Sequence, residues 1–333
     1  MNRAGSWDSR RPSPGGVATL VAAGVLFGLP GLVATWLRLV PPRDDATALL
    51  ASFIPYGILG YTLSLCLFLI ALIRARRRWA LLIVTTVVAG LLALHASWLV
   101  PFFVADHRVA TTKPFTLLSL NMYAGAADPQ ALLAQAQHAD VVILVEATPE
   151  ALNTLAVLGL GTRFPYAVGD PKQAVSNTAI YSRFPLSDTT LVQGTLFQQY
   201  VTTVAVPAIG PIRLIGAHIC NPYCGNGRWA AEHAILRATV DANLNRPLVM
   251  AGDFNAVDDH GPLQFLRRQG LESATDIVGA GWLPTYPARR FLPPLLPIDH
   301  VMINNRLTAT SIRTVKIPGT DHLGLIATIA GTG

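Results

Sequence analysis

A chain of 333 residues is long enough for two folded units. Only 13% of it is charged and 51% is hydrophobic, which excludes a disordered chain and argues against an ordinary cytosolic protein, where about 25% of residues are charged. The net charge of +6 is uneven: residues 1–107 hold nine Lys/Arg against four Asp/Glu, and residues 108–333 hold sixteen against fifteen. The longer part therefore has no bulk charge to hold a polyanion, and three cysteines exclude a disulfide-dense scaffold.

Residues 17–37, 46–73 and 79–105 are runs of 21, 28 and 27 residues without an acidic or basic side chain except His95. A bilayer needs about 20 apolar residues per helical span, so three transmembrane helices are expected over 17–105. Pro30 and Pro55 are tolerable kinks in lipid. The alternative for the first run is a cleaved signal peptide, since Arg10 and Arg11 precede it; two further runs and the lack of a small-x-small site favour a retained span. Arg3, Arg10 and Arg11 precede the first run, and Arg74, Arg76, Arg77 and Arg78 separate the second from the third. Both clusters fall on one side only with residues 1–16 as a cytoplasmic tail, so everything from about residue 106 is expected outside. A short linker, 106–114, then holds the next domain close to the membrane.

From residue 115 the pattern changes to short β-branched runs between amphipathic stretches. Strands are expected at 115–122, 141–147, 178–183, 201–206, 212–219, 248–254, 298–303, 310–317 and 323–329. Helices are expected at 128–139, with Asp128 as N-cap and Pro129 in its first turn, and at 149–158, 227–244 and 260–269. This order suits one two-sheet α/β domain over 115–330, with helices outside and no internal repeat.

Polar residues end otherwise apolar strands at Asn121, Glu146, His218, Asp253 with Asn255, Asp299 and Asp321 with His322. Such side chains are costly on buried strands unless paired, hydrogen-bonded or metal-bound, and α/β sheets carry sites at strand ends. The motifs Ser119-Leu120-Asn121, Leu144-Val145-Glu146, Gly216-Ala217-His218, Gly252-Asp253-Phe254-Asn255, Ile298-Asp299-His300 and Thr320-Asp321-His322-Leu323-Gly324 together resemble the endonuclease/exonuclease/phosphatase superfamily over about residues 113–330. That resemblance implies a four-layer α/β/β/α sandwich with two mostly antiparallel sheets, and metal-dependent phosphoester hydrolysis.

On this reading Glu146, with Asn121 nearby and Asp321 at the rim, is expected to hold Mg²⁺ or Mn²⁺ through hard oxygen donors. Asp253 would deprotonate or orient the attacking water, and Asn255 would hold that water or a phosphoryl oxygen. His218 and His322 would donate to phosphoryl oxygens as charge develops, with Asp299 fixing the tautomer of His322. His300 is expected to be structural, and Asp259 to cap a helix in preference to joining Asp258 and His260 in a site. Arg289 and Arg290 either meet anionic head groups or form a solvated loop, and Gly225-Asn226-Gly227 reads as a turn. Cys220 and Cys224 either form a small-loop disulfide or join His218 in a zinc site.

Three spans ahead of such an outward-facing domain also resemble the VanJ-type membrane proteins linked to teicoplanin resistance. This implies hydrolysis of undecaprenyl pyrophosphate to the monophosphate at the outer leaflet of a bacterial cytoplasmic membrane, with no nucleic acid or protein partner expected. The alternatives are an outward-facing nuclease or phospholipid phosphodiesterase, against which the balanced charge of residues 108–333 argues, and a non-catalytic lipid- or antibiotic-binding protein.

Overall fold

The computed structural model describes residues 14–42, 44–106, 108–169, 177–289, 291 and 293–332; Arg3, Arg10, Arg11 and Arg290 lie outside the described residues. The chain divides into two compact units, Met1–Val40 with Phe53–Leu99, and Pro41–Ser52 with Val100–Gly333. Four helices open it: α1 (Pro14–Leu39), α2 (Asp45–Ala51), α3 (Gly57–Arg74) and α4 (Trp79–Phe103).

Three helical stretches, Gly15–Leu39, Ile54–Arg74 and Trp79–Phe103, are long and apolar enough to cross a membrane. Large side chains such as Trp36, Leu59, Ile73 and Ile83 face outward, a burden in water and none in lipid. Small residues bring α1 and α3 together: Ser64 Oγ donates to Gly24 O at 2.8 Å, and a Cβ on Gly60 would lie 2.8 Å from Phe27 O. This is the close backbone approach expected between helices in a bilayer. Thr35 Oγ1 also meets Tyr61 OH at 2.7 Å and His95 Nε2 at 2.9 Å, joining all three helices.

The second apolar helical stretch is shorter than its charge-free run suggested, beginning at Ile54 instead of residue 46. Asp44 caps a separate helix, its carboxylate accepting from Thr47 N at 2.9 Å. Pro55, which lacks an N–H, sits in the single 3-10 turn that follows. Helix α2 belongs to the second unit. Ala48 is fully buried beside Trp229 and Leu263, its carbonyl lies 2.8 Å from His260 Nε2, and Asp45 Oδ2 accepts from Gly227 N at 3.1 Å. The expected linker is equally engaged: Asp106 N donates to Ile277 O, Thr111 N to Gly331 O, and Arg108 pairs with Glu272.

The second unit holds helices α5 (Pro129–Ala136), α6 (Pro149–Val157), α7 (Leu160–Arg163), α8 (Arg228–Asp241), α9 (Gly261–Arg268) and α10 (Ala274–Val278). Its strands are β1 (Phe115–Asn121), β2 (Val141–Val145), β3 (Tyr166–Val168), β4 (Thr178–Ser182), β5 (Leu186–Leu191), β6 (Tyr200–Val206), β7 (Gly210–His218), β8 (Leu248–Asp253), β9 (Leu271–Ser273), β10 (Asp299–Asn304), β11 (Leu307–Val315) and β12 (Gly324–Gly331). One sheet runs β11-β12-β1-β2-β4-β3, the other β5-β6-β7-β8-β10-β9. Each has a central parallel pair, β1/β2 and β7/β8, flanked by antiparallel neighbours.

Strand alternation sorts the apolar residues into three cores. Leu117, Val141, Ile143 and Val145 of the first sheet meet Leu214, Val249, Ala251, Val301 and Ile303 of the second. The opposite faces, Leu118, Leu120, Val142 and Leu144, pack under α5 and α6 through Leu132, Ala136, Leu152 and Leu155. Ile215, Ala217 and Met250 pack under α8 and α9 through Trp229, Leu236, Leu263 and Leu266. The result is the expected α/β/β/α sandwich. Strands β3, β5 and β9 were not anticipated; two are three residues long, and β5, almost wholly exposed, carries no apolar alternation.

Gly252 shows how tightly the second sheet is closed. Its φ of 145° is open to glycine, and a Cβ there would fall 1.8 Å from Ala217 O on the neighbouring strand. Gly252→Ala is therefore expected to cost more than about 3 kcal/mol, measured as a fall in the thermal unfolding midpoint of the purified full-length chain.

Candidate active site

Strand direction gathers the polar strand ends at one edge. Asn121 and His218 close β1 and β7, Asp253 closes β8, and Asp299 opens β10, whose antiparallel register sets Asp299 opposite Asp253. His218 lies opposite Asp253 on the other side. Strand phase also decides which way they point. Asn121 alternates with Leu117, His218 with Leu214, Asp253 with Ala251 and Asp299 with Val301, so all four share the face that looks into the seam between the sheets. Glu146 breaks phase through its left-handed φ of 53°, a conformation that costs a non-glycine residue about 1 kcal/mol or more.

Contacts across the seam join the two sheets here. Asn121 Nδ2 donates to Glu146 Oε1 and to Asp253 Oδ2, each at 3.0 Å. His322 Nδ1 lies 2.7 Å from Asp299 Oδ2 and its Nε2 3.8 Å from Asp253 Oδ2. His218 Nε2 lies 3.9 Å from Glu146 Oε1. Asp253 Oδ1 accepts from Asn255 N at 2.8 Å, while Glu146 Oε2 accepts from Ala124 N at 2.9 Å. Asn255 donates its side-chain amide to Ile219 O at 2.9 Å, leaving its Oδ1 to accept from a water.

Seven of the eight expected site residues thus form one constellation. Asp321 stands apart: it makes no hydrogen bond or ion pair with Glu146 or Asn121, and its buried Oδ1 has no partner among the described residues. It acts on His322 through charge alone. Asn121 also departs from expectation. Tyr123 N donates to its Oδ1 at 2.9 Å, which fixes the amide so that the site receives N–H donors. Asn121 is accordingly a bridge between carboxylates in this arrangement, not an oxygen ligand.

The two imidazoles take opposite protonation states. Burial alone would lower the His322 pKa, but the Asp299 carboxylate, its hydrogen bond, and Asp253 and Asp321 outweigh that and raise it to about 10. His218 is lowered to about 3 by burial and then by the charge of His322, and it stacks on Phe197 at 4.2 Å. Burial and the Asp299 charge push the Asp253 carboxyl up, against the pull of His322 and its hydrogen bonds. A raised carboxyl is a stronger base toward water.

Asp253, Asp299 and His322 can bring one ligand atom each within 4.8 Å of one another. The hydrogen bond between His322 and Asp299 already satisfies part of that group, however. Glu146, whose side chain is 24% exposed, offers hard oxygens beside two further carboxylates. This donor set fits a divalent cation such as Mg²⁺.

Three further polar residues support the site without having been assigned a role from the sequence. Thr285 Oγ1, fully buried, accepts from Ile298 N and Asp299 N at 3.3 Å each. Thr320 Oγ1 donates to Asn121 O at 2.7 Å and accepts from His322 N at 3.1 Å. Glu232, inside an amphipathic helix, accepts from Leu196 N and Cys220 N and so holds the segments beside His218.

Cys220 and Cys224 form a disulfide, which consumes both thiols and removes the zinc alternative. His300 lies against Ala256 O at 2.8 Å, as a structural residue should. The expected cap at Asp259 is displaced: His260 is the N-cap of α9, and Asp258 pairs with Arg267. Arg289 lies over the Tyr123 ring at 5.0 Å.

A profile of the Endonuclease/Exonuclease/phosphatase family matches residues 118–322. Among solved structures, the chain is similar to an endonuclease/exonuclease/phosphatase from Beutenbergia cavernae DSM 12333, with 17% identity and a TM-score of 0.52 over 66% of this chain and 72% of that one. It is similar to a functionally unknown conserved protein from Enterococcus faecalis V583, with 13% identity and a TM-score of 0.53 over 65% and 99%. Humanised D. rerio TDP2 gives 14% identity and a TM-score of 0.53 over 65% and 98%. At these identities the likeness is one of fold. No curated protein matches the chain.

The His322–Asp299 pair generates a pH prediction. A pKa raised to about 10, above an unfolded value near 6.5, means that this pair stabilises the fold fully below about pH 6.5 and loses that contribution as pH rises through about 10. NMR of ring-labelled histidine in the full-length protein should show His322 still protonated at pH 8 (about two units below its folded value). Asp299→Asn should shift its titration downward.

Proposed function

Because the chain belongs to the endonuclease/exonuclease/phosphatase family, we propose that it is a membrane-anchored, Mg²⁺-dependent phosphoesterase working outside the cytoplasmic membrane. Its substrate on this reading is a lipid-borne pyrophosphate, undecaprenyl pyrophosphate, cleaved to the monophosphate to recycle the cell-wall lipid carrier, as VanJ-type proteins are expected to do under glycopeptide challenge. One observation carries the reading. The catalytic unit takes in Pro41–Ser52, directly after the first apolar helix, and Val100–Phe103 at the end of the third. Gly281 N donates to Phe102 O, and Phe102 packs edge-on against Trp282 at 5.3 Å. The chain therefore enters the unit from apolar helices without slack, which supports a substrate met at a bilayer surface.

Orientation follows from the arginine clusters, and the Cys220–Cys224 disulfide suits an oxidising compartment. The two entry points also fit one another: two spans separate residues 41–52 from residue 104 onward, so both segments share a side of the bilayer.

A bound cation would polarise a phosphoryl oxygen and neutralise charge on it. Glu146 would hold that cation, and Asn121 keeps the Glu146 carboxylate beside Asp253. Asp253 accepts a proton from the attacking water, which Asn255 Oδ1 orients. Protonated His322 donates its Nε2–H to the phosphoryl oxygens, and neutral His218, stacked on Phe197, holds its Nε2 beside Glu146.

The structure of D. rerio TDP2 in complex with a single-strand DNA product keeps a nuclease as the second reading. Purified full-length protein in detergent with Mg²⁺ should release phosphate from undecaprenyl pyrophosphate, and Asp253→Ala should lower that rate by roughly 10²–10⁴-fold. No release by the wild type, together with nicking of plasmid DNA, would replace the lipid substrate by the nucleic acid.

A further inference from the structure

Away from the seam, in the outer helical layer, α8 and α9 enclose a pocket of about 280 Å³ lined by Pro41, His233, Arg237, Gly261, Phe265 and Arg268 among others. Two of its guanidinium groups converge on one ring. The Arg237 and Arg268 carbons lie 4.2 Å and 5.3 Å from the Phe265 centroid. Neither arginine has a carboxylate partner among the described residues, whereas the neighbouring Arg267 is already paired with Asp258 and Asp276. Like charges gathered about one ring repel, and an anion bound beside them relieves that repulsion.

His233 adds an independent sign of a missing ligand. It is 4% exposed and lines the pocket, yet neither ring nitrogen makes a hydrogen bond of ordinary geometry; the Phe254 backbone comes near enough only to perturb its titration. A buried polar group left unpaired is costly, and an acceptor entering the pocket would satisfy it.

Chain connectivity says where such an anion comes from. Pro41 packs on Gly261, where an added Cβ would fall 2.7 Å from the proline ring. It is also two residues beyond Leu39, the last residue of α1. Two extended residues reach about 7 Å, so this wall of the pocket stays within that distance of the end of an apolar span. We propose that the pocket binds the phosphate headgroup of a net-anionic membrane lipid, with Arg237 and Arg268 on its oxygens and His233 donating from below. The site shares no residue with the hydrolytic one, and binding here needs no divalent cation.

The test uses full-length protein in detergent with EDTA, supplied with equal amounts of phosphatidylglycerol and phosphatidylcholine, and native mass spectrometry of the retained lipid. Wild type should retain phosphatidylglycerol in preference to phosphatidylcholine, and the Arg237→Gln/Arg268→Gln double variant should lose that preference by about tenfold in affinity. Glu146→Ala should retain the lipid as wild type does, so a failure of the hydrolytic reading leaves this result interpretable. Equal retention by wild type and the double variant would overturn the proposal. Equal retention of the two lipids, with millimolar inorganic phosphate bound in an arginine-dependent way, would overturn the lipid source and leave a free-phosphate site.

Discussion

Three carboxylates, Glu146, Asp253 and Asp299, crowd one partly buried corner, and the site depends on what holds them there. Like charges at such distances in a poorly solvated place drive one another to take up protons or to bind cations. Asn121 answers part of this by giving one N–H to Glu146 and one to Asp253. His322, kept protonated mainly by Asp299, answers another part. Neutral N–H donors to Glu146 leave its negative charge in place, and that is where a hard divalent cation has a physical reason to sit. Charge balance and catalysis are thus one arrangement seen from two sides.

The scaffold that permits it is doubled. Both sheets place a parallel pair between antiparallel neighbours, and both send the C-terminal ends of that pair to the same edge. Residues in phase with the inter-sheet core then point into the seam by strand alternation alone. Backbone strain supplies the rest: Glu146 and Asn255 both have left-handed φ angles, 53° and 46°, and at Glu146 this turns a side chain that strand phase would send to the opposite face. Trp229 Nε1 donates to Asn255 O at 2.9 Å and holds the second of these turns.

Much of this was legible in the sequence, and particular residues show why. Asn121, His218 and Asp253 end, and Asp299 opens, a run whose apolar alternation fixes their facing, so both their place and their direction could be read. The parallel pair at the centre of each sheet could not, because strand pairing is set by contacts far apart in the chain and leaves no repeat in composition. Nor could the bridging role of Asn121, which depends on Tyr123 N binding its oxygen, or the detachment of Asp321 from the group that its motif suggested. All of helix α2 but its first residue was hidden inside a charge-free run. Its alanines and leucines suit a bilayer and a protein core equally, and only Asp44 and Pro55 marked its ends.

On the proposed reading the apolar helices set where the site works, and a divalent cation would supply its chemistry. Titrating the full-length protein in detergent with Mn²⁺, and following the paramagnetic resonance of the free ion, tests it most directly. The account predicts saturable uptake that Glu146→Ala weakens by more than about tenfold. Absence of uptake, or uptake that Glu146→Ala leaves unchanged, would contradict it.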